Sequence, residues 1–402
     1  MKAIKGRKPS RSRNMIVPAE EIAAKALSKA VKGRSLKGYL EREYKRLGVP
    51  DSVKPVIVAI VSNVARRWMV LAKALGYSYD RPKASVKYWR ELVIAYQALF
   101  RKVPPSKISW AFKGFPKDLY LSLMKTEPSE VLSDLAPEER ERVYLSVPKW
   151  AWEEISKVTD PKAFVEALDK REGFWVRIRK PSVISELKAI YEVFEGPFED
   201  TYFLRGPMRE VIRRKLHPEK LVIMELASAT IAHLAKGKVL DLTSAPGGKA
   251  LHSWDLGHFT VANDIDVNRF AFKGFEIVAS DARLPPFRKA FDTVILDPDC
   301  TGIGRLHSPE TRLWLPLVNR KRLVEYQAQL IKSALGLLKE GSRFIYSTCT
   351  ITYDENEGHA ELLDGLEPVE VELASPGFLK GWRRYLPNLH KTIGFTFAIY
   401  EK

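Results

Sequence analysis

The sequence predicts a multi-domain protein of α/β class: an all-α bundle, a small α+β domain, and a doubly wound, mostly parallel sheet. Three observations predict it. Up to about residue 137 apolar residues recur at helical spacing, with no alternating strand pattern. From Lys238 onward, short apolar strands alternate with helical stretches, the signature of crossover-connected parallel strands. And 402 residues exceed what one ordinary core accommodates.

Each element follows from local patterning. Residues 1–14 hold six Lys or Arg and no acid, and read as a basic disordered arm. Over 15–137, Ile22, Ala23, Ala26 and Leu27, then Ile57, Ile60, Val61 and Val64, mark amphipathic helices, punctuated by Pro50, Pro55, Pro104 and Pro105. Over 138–220, helical stretches (Trp150 to Ile155, Pro161 to Leu168) precede a strand at Phe174 to Ile178. Residues 221–402 form the last domain. Its strands are predicted at Lys238–Leu242, Thr260–Ala262, Glu276–Ala279, Thr293–Leu296, Arg343–Tyr346 and, closing the sheet, Gly394–Tyr400. A long helix is predicted over Leu323–Lys339, capped by Gly341.

Bulk composition narrows the function. With 45% hydrophobic and 29% charged residues the chain is a globular protein, neither disordered nor membranous. It has no run of eighteen apolar residues, so no spanning helix and no membrane partner are expected. A net charge of +17 favours a polyanionic partner, nucleic acid first. Two cysteines are too few for a disulfide framework and fit a reducing cytoplasm. No metal is expected, and a monomer is the default.

The chemistry-bearing residues gather at predicted strand ends. The first strand runs through Asp241 into Thr243-Ser244-Ala245-Pro246-Gly247-Gly248-Lys249, a Gly-rich turn opening a helix, the arrangement that brings backbone amides close to a ligand. It is not the three-glycine dinucleotide fingerprint. Asp264 and Asp281 follow the next two strands, where a carboxylate can accept ribose hydroxyls or face an adenine amino group; either could instead cap a helix. The fourth strand ends in Asp297-Pro298-Asp299-Cys300 and the fifth in Ser347-Thr348-Cys349, so both cysteines fall at one sheet edge. A cysteine is commonly a small core residue; two so placed beside acidic strand ends read as a site. Asp354 to Glu357 reads as a capping pair opening a helix whose N-terminus would lower the Cys349 pKa.

These motifs together resemble the Sun/Fmu-like (Nol/Nop/Sun) family of RNA cytosine-5 methyltransferases, over about residues 138 to 402. Pro148-Lys149-Trp150 and Trp175-Val176-Arg177 are similar to stretches of that family's small RNA-binding domain, and Pro309 to Trp314 and Thr392 to Phe395 to stretches flanking its active site. The preceding helices resemble the NusB-like bundle that some members carry. The resemblance implies a Rossmann-like methyltransferase domain that uses S-adenosylmethionine, held by Thr243 to Lys249, with Asp264 on the ribose, Asp281 near the adenine and Asp297 nearby. It implies Cys349 as nucleophile and Cys300 as the cysteine assisting release. A thiolate added at carbon 6 makes carbon 5 of cytosine nucleophilic enough to take a methyl group. Asp297, helped by Lys249, would hold a proton where charge gathers near N3. RNA would be the partner, ribosomal before transfer RNA, presented as a loop or flipped base. A catalytically impaired RNA-binding ribosome-assembly factor, a tRNA methyltransferase and an enzyme acting on protein or DNA are the alternatives.

Three positions depart from the family pattern. Pro298 and Asp299 replace the usual Ala-Pro before Cys300, and the added carboxylate is expected to raise that thiol's pKa. Thr243 stands where cysteine is frequent. Only about ten residues separate Asp266 from Glu276, barely enough for a crossover, so a helix is expected to be shortened or lost.

Overall fold

A computed structural model describes residues 17–33 and 35–402; the expected basic arm over 1–14 lies outside the described residues. The chain divides into two compact units between Ala136 and Pro137.

The first unit is helical: α1 (Ala19–Ala30), α2 (Leu36–Leu47), α3 (Lys54–Ala74), α4 (Val86–Leu99), α5 (Lys117–Lys125) and the single turn α6 (Pro128–Val131). Local chemistry sets the ends. The Ser35 hydroxyl accepts from Gly38 N to start α2, Gly48 in the left-handed region ends it, and the Ser85 hydroxyl accepts from Tyr88 N to start α4. The apolar faces of α1, α3 and α4 meet around the fully buried Trp68 and Trp89. By length and composition α3 could cross a membrane; with 56% of that stretch buried inside the bundle, it serves here as its core helix.

The second unit opens with α7 (Pro137–Tyr144), α8 (Lys149–Ser156) and α9 (Pro161–Asp169). A small antiparallel sheet of order β2-β3-β1-β4 follows, built from β1 (Gly173–Ile178), β2 (Glu192–Glu195), β3 (Thr201–Arg205) and β4 (Leu221–Ile223), with the short helices α10 (Val183–Lys188) and α11 (Arg209–Arg213). Because β4 pairs with β1, this sheet runs past the boundary expected at residue 220.

The remaining chain comprises α12 (Leu226–His233), β5 (Val239–Asp241), α13 (Gly248–Asp255), β6 (Thr260–Asp264), β7 (Glu276–Ala279), β8 (Thr293–Leu296), α14 (Pro309–Trp314), α15 (Arg320–Leu335), β9 (Arg343–Thr348), β10 (Glu367–Pro368), β11 (Ser375–Pro376), β12 (Trp382–Tyr385), α16 (Pro387–His390) and β13 (Phe395–Glu401). Among the described residues they form one sheet of order β11-β12-β13-β9-β8-β5-β6-β7, with β10 beside β13. The run from β9 to β7 is parallel, and β13 is antiparallel to β9. Leu330, Ile331 and Ala334 of α15 cover one face, and Leu226, Ala227 and Ile231 of α12 the other. The connection from β6 to β7 holds one 3₁₀ turn, Val267–Arg269, and no α-helix. Chain order reverses about β5, whose neighbours are β6 and β8, and a crevice opens beyond the strand ends there.

Asp200, in the β2–β3 loop, joins the small sheet to the large one. Its two carboxylate oxygens lie 2.8 Å from Nε2 of His233 and 2.8 Å from Nε2 of His252. The three ligand atoms lie within 4.8 Å of one another, close enough for an ion. Both imidazoles are already engaged by the carboxylate, however, and the Arg177 guanidinium acts on His252 as a cation.

This joint makes stability depend on pH. Burial pushes the His252 pKa from 6.5 down to about 4 against the pull of Asp200, and does the same at His359, opposed by Asp354. The unfolded chain therefore binds these protons near pH 6.5 and the folded chain only near 4, so stability is whole above that window and lost as pH falls through it. Asp241, its carboxyl pushed up to about 6 by burial, works oppositely and offsets one histidine. A net loss of about 3 kcal/mol is expected between about pH 7 and about pH 4. Denaturant midpoints across that range measure it; a flat profile would mean both rings charge freely in the fold.

Candidate active site

The crevice is assembled from four strand ends. At the end of β5, Asp241 is fully buried; its Oδ2 accepts from the Ser244 hydroxyl at 2.8 Å, while Oδ1 has no partner. Gly247 takes a left-handed φ of 93°, and a Cβ there would fall 2.9 Å from the Phe270 ring. The turn can therefore close only with glycine, and α13 starts at Gly248. At the end of β6, the Asp264 carboxylate accepts from Ala245 N and Asp266 N, each at 3.0 Å, and so clamps the same turn.

Two adjoining hollows result. The narrower is lined by Asp264, Asp281, Tyr326 and Leu330. The wider, about 580 Å³, holds Lys249, Cys300, Cys349, Arg305, Thr311 and Trp314. Thr243, Ala245, Arg269, Asp297 and Asp299 line both.

The reactive groups converge in the wider hollow. The Lys249 ammonium is hydrogen-bonded to the Asp297 carboxylate, and Asp297 N donates to Thr243 Oγ1 at 3.1 Å. The Sγ atoms of Cys300 and Cys349, from neighbouring strands β8 and β9, are 3.0 Å apart and partly buried. Gly302, at φ 74°, lets the chain turn beside them; a Cβ there would lie 4.0 Å from Cys349 Sγ. The buried Glu355 carboxylate holds the Cys300 loop, accepting from Thr301 N at 2.8 Å, Thr301 Oγ1 at 2.5 Å and Gln327 Nε2 at 3.1 Å.

Electrostatics separates the two thiols. The hydrogen bond from Cys300 lowers the Cys349 pKa; burial opposes this and the Arg305 guanidinium assists it. The same hydrogen bond, together with burial, raises Cys300 well above its ordinary value. The arrangement favours ionisation at Cys349 over Cys300, with the Cys300 S–H donating to the Cys349 sulfur. Burial opposes the charge on Lys249, but Asp297 and Asp241 outweigh it and raise that pKa.

Cys349, Cys300, Asp297 and Lys249 lie together. Thr243, Ser244, Ala245, Pro246 and Gly248 line one or both hollows with Asp264 and Asp281. Gly247 lines neither; it shapes the turn from behind. Asp281 sits at the rim, its carboxylate held by Arg283. Two expectations are corrected. Asp354 and Glu357 do not cap a helix: Asp354 pairs with Arg320 and Glu357 with Arg384, and a 3₁₀ segment follows whose cap, Asn356, makes no side-chain cap bond. Cys300 is raised first by its hydrogen bond to Cys349 and by burial, and then by the charges of Glu355 and Asp297, ahead of the expected contribution of Asp299. Asp241, Glu355 and Arg305 were not foreseen. An acid at a strand end was the visible signal for Asp241; nothing local marks the other two.

The hollow fits a bound methyl donor because four carboxylates, Asp264, Asp281, Asp297 and Asp299, surround a cleft suited to hydroxyls and positive charge.

Comparison with known proteins agrees. Residues 229–398 match the family model "16S rRNA methyltransferase RsmB/F". A tRNA (cytosine(72)-C(5))-methyltransferase of Pyrococcus horikoshii is 27% identical, over 74% of this chain and 76% of its own. Ribosomal RNA small subunit methyltransferase B of Klebsiella pneumoniae is 26% identical, over 94% of this chain and 96% of its own. The crystal structure of PH0851 shares the fold, with a TM-score of 0.73 at 22% identity, over 96% of this chain and 99% of that one.

Proposed function

We propose, because this chain belongs to the Sun/Fmu-like family of RNA cytosine-5 methyltransferases, that it methylates carbon 5 of a cytosine in ribosomal RNA through a covalent Cys349–C6 bond. The observation that carries the reading is the pair of sulfurs 3.0 Å apart in one cavity with the Lys249–Asp297 pair. S-adenosylmethionine is the donor; when bound it supplies an electrophilic methyl group on a sulfonium. The turn from Thr243 to Lys249, with Asp264 and Asp297, would hold it, and Asp281 would face its adenine end.

The chain's own groups account for the other steps. The Cys349 thiolate adds to carbon 6 of the cytosine, and the displaced electron pair moves toward N3 and carbon 5. Lys249, oriented by Asp297, keeps a proton against the N3 side as charge gathers there. Once Cys349 is a thioether it no longer accepts from Cys300, and the main cause holding the Cys300 pKa up disappears. Cys300 then gives its own proton to water more readily, takes the proton from carbon 5 as a thiolate, and the returning electron pair closes the C5–C6 double bond and expels Cys349 as thiolate. The two cysteines exchange roles during one turnover.

The relative that supports ribosomal RNA covers 94% of the chain, including the helical first unit, which we take as a NusB-like RNA-binding domain. The basic charge would anchor RNA phosphates, so binding should weaken steeply with salt. Transfer RNA is the second reading, favoured by the Pyrococcus relative.

The test is incubation with methyl-labelled donor and unmodified ribosomal or transfer RNA, followed by bisulfite sequencing. Label in 5-methylcytosine at one ribosomal position is the expected result. Label confined to transfer RNA would move the reading to that substrate. RNA binding with neither label nor donor binding would leave an assembly factor without catalysis.

A further inference from the structure

Asp299 is a carboxylate that neither the fold nor the reaction above uses. It lines both hollows, on the wall they share. Four carboxylates line the narrower hollow, and three are engaged: Asp264 by backbone amides with Arg269 at 3.6 Å, Asp281 by Arg283, and Asp297 by Lys249. The Asp299 side chain is exposed and makes no hydrogen bond or ion pair among the described residues; only its carbonyl is used, accepting from Gln327 at 2.9 Å. In a chain of net charge +17 an unpartnered acid at this wall is out of keeping with its surroundings.

The position is informative because a methyl group passing between reactants must lie where their two hollows meet. A donor whose methyl group is to reach the wider hollow would place its sulfonium against the shared wall. Of the cations near it, Lys249 and Arg269 are offset by Asp297 and Asp264, while Arg305 forms no ion pair with an acid among the described residues and acts on the Cys349 sulfur. With Asp264, Asp281 and Asp297 each engaged, Asp299 is the carboxylate on this wall left to face a sulfonium. After transfer the sulfonium has become a neutral thioether, and the attraction is gone.

We propose that Asp299 is a donor-binding residue that selects the cationic methyl donor over its neutral demethylated product, so that transfer itself loosens the spent molecule. This rests on the methyltransferase reading above.

Calorimetric titration of S-adenosylmethionine and of S-adenosylhomocysteine into the full-length protein tests it without turnover. Asp299→Asn should weaken the donor about five- to tenfold, and the product less than about twofold. Asp299→Glu should restore the preference. Raising salt should compress the wild-type donor-to-product ratio toward that of Asp299→Asn, a readout that needs no variant to fold. Equal loss for both ligands, or none for either, overturns the proposal. Wild-type protein that binds neither ligand would overturn the methyltransferase reading and this with it.

Discussion

Cys349→Ala should abolish methyl transfer, lowering kcat by on the order of 10⁴-fold or more, as loss of a nucleophile does elsewhere. Donor affinity, measured by calorimetry, should change little, because the Asp264, Asp281 and Asp297 carboxylates are untouched. Cys300→Ala should give a different failure. The thiolate on Cys349 loses its hydrogen-bond donor, so addition to carbon 6 slows, yet it still occurs. What is missing afterwards is the base that takes the proton from carbon 5. A protein–RNA adduct resistant to denaturing electrophoresis should therefore accumulate, labelled by the methyl group. The two variants discriminate sharply, since the sulfurs are only 3.0 Å apart and no general damage to the cavity would trap RNA in one variant and not the other. An adduct in Cys349→Ala, or in neither protein, would show that the two roles have been assigned wrongly.

That much of the site was legible before any coordinates has a simple cause. Parallel strands buried on both faces are short apolar runs, and the residue after each run falls at the same edge of the sheet. Thr293–Leu296, buried throughout, sits at the expected bounds, as does the mostly exposed edge strand Glu276–Ala279, so the acids and cysteines that follow the strands had to converge. The lost helix between β6 and β7 was legible from chain length alone. The antiparallel partners of β1 were harder: β2 is largely exposed and reads Glu-Val-Phe-Glu, with no apolar run to mark it.

What failed did so where a distant partner overrode a local rule. The long helix was expected at Leu323–Lys339 and runs instead over Arg320–Leu335. Asn319 caps it by accepting from Arg322 N, and Leu337 and Leu338 turn into the core beyond its end. Gly341, at φ 75°, serves the turn into β9 rather than a helix cap. The acids from Asp354 to Glu357 looked like a capping pair because their guanidinium partners lie 34 and 27 residues away. Spacing along the chain carries no record of either.

The Glu357 partnership leads to the largest expected loss of stability. Glu357 and Arg384 are both about 1% exposed. Glu357 Oε2 accepts from Arg384 Nη2 at 2.5 Å and its Oε1 from Phe378 N at 2.9 Å, and the guanidinium stacks 4.3 Å over the Phe378 ring. Burial lowers the Arg384 pKa against the pull of Glu357, the mark of a charge kept out of water by one partner. Glu357→Ala strands that charge and leaves the Phe378 amide unpaired, so a cost of about 3–5 kcal/mol is expected. Thermal melting should fall by on the order of 10 °C. The chain from Cys349 to Glu357 is the strap that carries the proposed nucleophile, with Asn356 Oδ1 accepting from the Thr348 hydroxyl at 2.7 Å, so activity should decline with melting rather than before it. The isolated pair is a different matter. Replacing both residues, as Glu357→Leu with Arg384→Met, removes the stranded charge and should recover most of the loss, because apolar groups of similar volume often substitute for buried ion pairs without penalty. A Glu357→Ala protein that melts within 2 °C of wild type, or a double variant no better than the single one, would mean that water reaches this guanidinium and that the strap is held by Asn356 and Glu355 alone.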